Sequence, residues 1–142
     1  MHMSERIVNA TIGTTNYRVD FNDGTHLWHA DEPASLGGGD LGPTPVSLLL
    51  SGLGACTSIT LKMYAQRKGW PLEDVHVTLS LESGNDGTKI SRTIVLHGAL
   101  SDEQRERLLQ IANACPVHKI LTGPINIETG LAAVPPAATN AA

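Results

Sequence analysis

Two cysteines, Cys56 and Cys115, are the residues in this sequence whose type and setting could carry chemistry. Cys56 sits in Leu53-Gly54-Ala55-Cys56-Thr57-Ser58, where small neighbours leave the sulfur open to close approach. Cys115 closes an apolar helical pattern and is followed by Pro116-Val117-His118-Lys119. If the two segments pack together, the thiols meet. One could then be oxidised to a sulfenic acid and captured by the other as a disulfide. A reactive thiolate needs a nearby cation or donor, because burial alone raises a thiol pKa. Arg18, His118 and Lys119 are the candidates. The plainer reading of each residue stands beside this one. A free cysteine on an apolar helix face packs as a small hydrophobe, and a histidine near a helix end is a capping or surface residue.

Other groupings are weaker. Cys115 and His118 have a metal-like spacing, but two ligands with no second pair nearby make a poor zinc site. Gly37-Gly38-Gly39 lacks the strand-loop-helix setting and the following Lys-Ser/Thr of a phosphate loop. Asp31 and Glu32 form a carboxylate pair that reads as part of a solvated loop.

The elements that must position the cysteines can be read from periodicity. Ile7 to Ile12 reads as a first strand. Tyr17, Val19 and Phe21 alternate with polar residues, Asp23-Gly24 supplies a hairpin turn, and His26 to Ala30 returns. Glu32 to Thr44 is a long loop, of the kind that carries function in compact domains. A helix over 45–68 follows, with Pro45 in its first turn and Gly69 placed as its C-terminal cap. It is apolar or small almost all round until Lys62, which predicts burial on more than one side. Val75, Val77, Leu79 and Leu81 mark the clearest strand, Ser83 to Gly87 a turn, and Lys89 to Gly98 the partner strand. Ser101 and Gln104 frame a capping box for a second helix. Leu108, Ile111, Ala112 and Cys115 share one face of it, and Pro116 ends it. Ile125 to Thr129 reads as a last strand, and the chain from Ala132 as a flexible tail.

Composition narrows the class. The 142 residues fit one domain, expected over 1–131 with 132–142 as the tail. Aromatics are 4%, so the core must be aliphatic. The formal charge is −4 and the basic residues form no run, which argues against a nucleic-acid partner. The stretch from Leu41 to Leu61 carries no charge, but its prolines, glycines and hydroxyl residues read as a buried helix, so no membrane partner is expected. The start Met1 to Arg6 has no apolar core of a signal peptide. A soluble, cytoplasmic protein with reduced thiols is expected. Two cysteines are too few for a disulfide scaffold or an all-cysteine zinc site.

The run Gly42-Pro43-Thr44-Pro45-Val46-Ser47-Leu48-Leu49-Leu50-Ser51-Gly52-Leu53-Gly54-Ala55-Cys56-Thr57, continued by Thr60-Leu61-Lys62-Met63-Tyr64-Ala65, resembles the first cysteine motif of the OsmC/Ohr superfamily. Cys115-Pro116-Val117-His118-Lys119-Ile120-Leu121 resembles its second. The resemblance covers nearly the whole chain except the tail. It implies an α+β, OsmC-like fold of antiparallel sheets and two main helices, in an intertwined homodimer whose active sites draw on both chains. It implies a thiol peroxidase for organic hydroperoxides, with Cys56 as the attacking cysteine and Cys115 as the resolving one. The reductant would be a dithiol such as a dihydrolipoyl group, and no bound cofactor is implied. An arginine from the first hairpin is expected beside the thiolate. Arg18 is its candidate, with Thr14 or Thr15 as the competing alignments. One departure is plain. Active members carry a glutamate that orients this arginine, and the corresponding positions here are Val46 and Ser47. Asp31, Glu32 or Asp40 is then the expected substitute. The rival reading is a non-catalytic dimer that binds an apolar ligand near Cys56.

Overall fold

The computed structural model describes residues 5–133. The expected tail lies almost wholly outside these residues. The chain runs β1 (Asn9–Ile12), β2 (Val19–Asn22), β3 (Leu27–Ala30), α1 (Pro45–Lys68), β4 (Asp74–Gly84), β5 (Gly87–His97), α2 (Asp102–Ala112) and α3 (Pro116–Thr122). A single 3-10 turn, Ala34–Leu36, interrupts the loop before α1. The α+β class and the antiparallel pairing are as expected, with three helices in place of two main ones.

α1 keeps its predicted bounds for the predicted reasons. Thr44 caps it by accepting from the Ser47 N–H, Pro45 occupies the first turn, and Gly69 ends it in the left-handed region at φ 72°. The side chains buried along it are Leu53, Thr57, Leu61 and Ala65, four residues apart and so on one stripe. That stripe packs on β4, α2 and α3. The expectation of burial on several sides is not met within one chain. Leu49, Ile59 and Met63 stay exposed, because no element among the described residues lies over them. By length and mean hydropathy (1.4) α1 could also cross a membrane. Its packed stripe instead reads as that of a core helix.

β4 and β5 form a two-stranded hairpin in which Val75 pairs with Leu96, Val77 with Ile94, Leu79 with Arg92 and Leu81 with Ile90. These pairs alternate with exposed ones, so one face of the ribbon turns to the helices. Both strands extend further than expected, and the turn narrows to Asn85-Asp86. Gly54 on α1 fits against this face. A Cβ there would stand 2.9 Å from Leu79 Cδ1, so a small residue lets helix and sheet approach closely. The core cluster is Leu61, Ala65, Leu72, Leu108 and Ala112, as aliphatic as the composition requires.

β1, β2 and β3 make a separate three-stranded sheet. It makes no extensive contact with α1, α2, α3 or the second sheet among the described residues. Asp31 anchors its junction with the loop. The carboxylate accepts from the backbone N–H groups of Tyr17 (3.1 Å), Glu32 (2.7 Å), Gly39 (3.2 Å) and Leu41 (3.2 Å). Asp31 is 2% exposed, so the solvated-loop reading is corrected here.

Two expectations near the C-terminus fail. α2 stops at Ala112, and Cys115 lies beyond it as the N-cap of α3, a helix the sequence reading omits. Proline suits the first turn of a helix as well as it ends one, and Pro116 does the former. Ile125 to Thr129 is not a strand, since no edge among the described residues pairs with it. The capping box of α2 is present, with Ser101 and Gln104 bonded reciprocally.

Asp31 yields a prediction. Burial raises its proton affinity, but the four N–H bonds outweigh it and hold the carboxyl below its ordinary value. A depressed carboxyl stabilises the fold at pH values above its unfolded pKa, near 4, and that contribution fades as pH falls from there through the lower folded value. Asp31→Asn should lower the thermal midpoint at pH 7, and the gap to the wild type should shrink as pH drops below about 4. An unchanged gap across that range would show that the charge is not what holds the loop. At Gly54, substitution by Ala should be nearly neutral, since the helix gains about 1 kcal/mol of propensity while Leu79 must shift. Gly54→Leu should cost about 1–3 kcal/mol by chemical denaturation.

Candidate functional site

Packing of α1 against α3 brings the two cysteines together. Each sulfur registers in the proton affinity of the other, and both are free thiols. They are not equivalent. Cys115 is 0% exposed, whereas Cys56 is half-buried and reachable from outside. The Cys115 sulfur accepts from the His118 backbone N–H at 3.3 Å. Cys56 lies 4.0 Å from the Thr60 hydroxyl, one turn along α1.

Burial pushes the Cys115 thiol up. The His118 N–H, the neighbouring Cys56, the Thr57 hydroxyl and the Val117 N–H outweigh it, so Cys115 ionises below the ordinary cysteine range. At Cys56 burial again pushes up. The neighbouring sulfur adds to it, against opposition from the Val117 N–H and Thr60. The pair therefore loses its first proton from Cys115 and resists losing a second.

The cation beside this pair is one the sequence reading omits. Arg92 projects from the apolar face of β5, between Ile90 and Ile94. Its Nη1 donates to Thr57 Oγ1 (2.9 Å), and its Nη2 donates to Asn113 Oδ1 (3.0 Å) and lies 3.1 Å from His118 Nδ1. Thr57 in turn donates to the Leu53 carbonyl at 2.7 Å. Burial first, and then the Arg92 charge, lower the His118 pKa. A neutral ring with Nδ1 free is the form that can accept from the guanidinium. The signal was present in the sequence, since Arg92 falls at an inward position of the alternation Ile90, Arg92, Ile94, Leu96.

The other nominated residues are placed elsewhere. Arg18 pairs through Nε with Asp20 at 3.3 Å and bonds neither cysteine within the chain. Lys119 is exposed on α3. Asp31 is committed to its four N–H donors and is not available as a substitute for the missing glutamate. Of Arg18, His118 and Lys119, His118 is the one that reaches the pair, through its backbone N–H and not as a cation. Among the described residues no group of three or more His, Cys, Asp or Glu could hold a metal ion. A cleft of about 540 Å³ adjoins the network, walled by Leu49, Leu53, Leu81, Ile90 and Leu109, with Arg92 and His118 in its lining.

The family model for OsmC-like proteins matches residues 37–130, a span that holds both cysteines, the helices and the β4–β5 hairpin. The chain belongs to the OsmC-like family. Solved OsmC-like structures share its fold. An OsmC-like protein from Mycoplasma pneumoniae superposes with a TM-score of 0.73 at 19% identity, covering 84% of this chain and 89% of that one. The Legionella pneumophila structure described as an organic hydroperoxide resistance protein OsmC and predicted redox protein gives 0.59 at 27% identity, covering 87% and 93%. The organic hydroperoxide resistance protein OhrB of Bacillus subtilis gives 0.60 at 24% identity, covering 84% and 92%. A search of curated protein sequences finds no match.

For this OsmC-like chain the order of ionisation is directly testable. Ultraviolet thiolate absorbance against pH should show an early step that survives in Cys56→Ser and vanishes in Cys115→Ser. An early step that survives only in Cys115→Ser would contradict the assignment.

Proposed function

We propose that this chain is a thiol peroxidase for organic hydroperoxides. The observation that carries the reading is the meeting of two free thiols of which only one, Cys56, is reachable. Cys115, ionised beside it, takes the Cys56 proton and leaves the charge on the accessible sulfur. The Cys56 thiolate attacks the terminal peroxide oxygen. The O–O bond breaks, the alkoxide takes the proton back from Cys115 and departs as the alcohol, and Cys56 becomes a sulfenic acid while Cys115 is again a thiolate. Cys115 then attacks the Cys56 sulfur, the S–O bond breaks, and water leaves after protonation. Two thiols have become a disulfide, and one hydroperoxide has become an alcohol and water. A dithiol such as a dihydrolipoyl group restores both thiols by exchange. The apolar cleft suits the organic part of the substrate. Family membership, and relatives described as hydroperoxide resistance proteins, support the same reading.

The homodimer belongs to this proposal. The uncovered face of α1 (Leu49, Ile59, Met63) and the nearly free-standing N-terminal sheet support an assembly in which each sheet crosses to the other chain. Arg18 of the partner subunit is then the residue that approaches Cys56.

The apolar cleft also favours a second reading, binding of an apolar ligand without turnover. Turnover of cumene hydroperoxide with dihydrolipoamide separates the two. The peroxidase reading expects consumption by the wild type that falls to the buffer rate in Cys56→Ser. Equal rates for wild type and Cys56→Ser would leave the binding reading standing.

A further inference from the structure

Arg92 is out of place by the rules of its strand. It stands opposite Leu79 on the face that β4 and β5 turn to the helices, flanked by Ile90 and Ile94. A guanidinium in that position needs acceptors, and among the described residues it forms no ion pair with a carboxylate. Its acceptors are instead uncharged, and each lies within three residues of a cysteine in the sequence. Thr57 follows Cys56 on α1. Asn113 lies in the turn that precedes Cys115, and His118 in the first turn of the helix that follows it. The backbone N–H of His118 is also the group that bonds the Cys115 sulfur, at 3.3 Å.

We propose that Arg92 is a positioning residue for Cys115, tying α1 at Thr57 to the α3 turn whose His118 N–H bonds the Cys115 sulfur, so that it stays aimed at Cys56. The inference rests on the two-cysteine peroxidase reading and assigns Arg92 to its second step. In that step the Cys115 thiolate attacks the sulfenic sulfur of Cys56, the S–S bond forms, the S–O bond breaks, and the hydroxide leaves as water with a proton. Arg92 touches neither reacting sulfur. A planar fork with several directed N–H groups can hold three acceptors at once, which a lysine ammonium on a flexible stem does less well.

The titratable groups that face Cys115 are Cys56 from α1 and His118 from its own helix, and the Arg92 charge from β5 stands behind His118. Two measurements test the proposal. In the first, reduced protein receives one equivalent of cumene hydroperoxide with dimedone present, and mass spectrometry compares dimedone-labelled Cys56 with the Cys56–Cys115 disulfide. Arg92→Met should raise that ratio about tenfold over wild type, as loss of about one charge-assisted hydrogen bond would, and Arg92→Lys should recover part of it. The second is the thiolate titration of Cys115 in a Cys56→Ser background, with no peroxide. Arg92→Met should move it upward by about one pH unit. His118→Leu, which removes the ring that ties the α3 turn to Arg92 and leaves the guanidinium and the backbone N–H, should move it in the same direction, and it decides the matter should Arg92→Met fail to fold. A Cys115 titration unmoved in Arg92→Met and His118→Leu, or an Arg92→Met protein that loses only thermal stability, overturns the proposal. If wild-type protein forms no disulfide at all, the peroxidase reading fails, while the titration still decides whether Arg92 acts on Cys115.

Discussion

A guanidinium on the apolar side of a two-stranded sheet must find acceptors, and those that Arg92 finds tie the molecule together. Its three partners come from α1, from the turn after α2 and from α3. Without that cross-link the hairpin would present only aliphatic side chains to the helices, and aliphatic contact alone tolerates sliding. Hydrogen bonds from a planar fork do not. Thr57 follows Cys56 directly and His118 bonds Cys115 through its N–H, so the same cross-link joins the two segments that carry the cysteines. Gly54 serves the same end from the other direction, by letting α1 lie close to Leu79.

Asymmetry within the pair follows from position more than from residue type. Both residues are small thiols associated with helices. Cys56 sits mid-helix, where its own backbone N–H groups are used by the helix. Cys115 caps a helix start, where an N–H is free to reach its sulfur. The result divides two properties between two residues: one sulfur is exposed, and the other ionises more easily. A relay between them needs no further base. The N-terminal sheet stands apart from this arrangement within one chain, held to its loop by the buried Asp31 carboxylate.

Much of this was legible in the residues. α1 was bounded correctly because Thr44-Pro45 and Gly69 are local signals that tertiary packing did not override. The β4–β5 hairpin was legible because alternation over long strands is hard to mimic. The α2 capping box needs only its own residues. What escaped depended on more than local pattern. Pro116 is compatible with either the end or the beginning of a helix, and the sequence favoured the wrong one. Ile125 to Thr129 alternates like a strand, but a strand is a pairing, and no edge among the described residues receives it. Arg92 was passed over because the alternation was used to locate the strand and not to ask which charge it turned inward. Arg18 was favoured by its place in the first hairpin, and within the chain its guanidinium is engaged by Asp20.

The central claim is that Cys56 and Cys115 of one chain form a working redox pair. Peptide mapping by mass spectrometry of fully reduced protein after one equivalent of an organic hydroperoxide tests it most directly. The account predicts a cross-linked peptide joining Cys56 to Cys115, with the loss of two hydrogens and reversal by a dithiol. Two free thiols after that treatment, or a cross-link joining Cys56 of one chain to Cys56 of another, would contradict it.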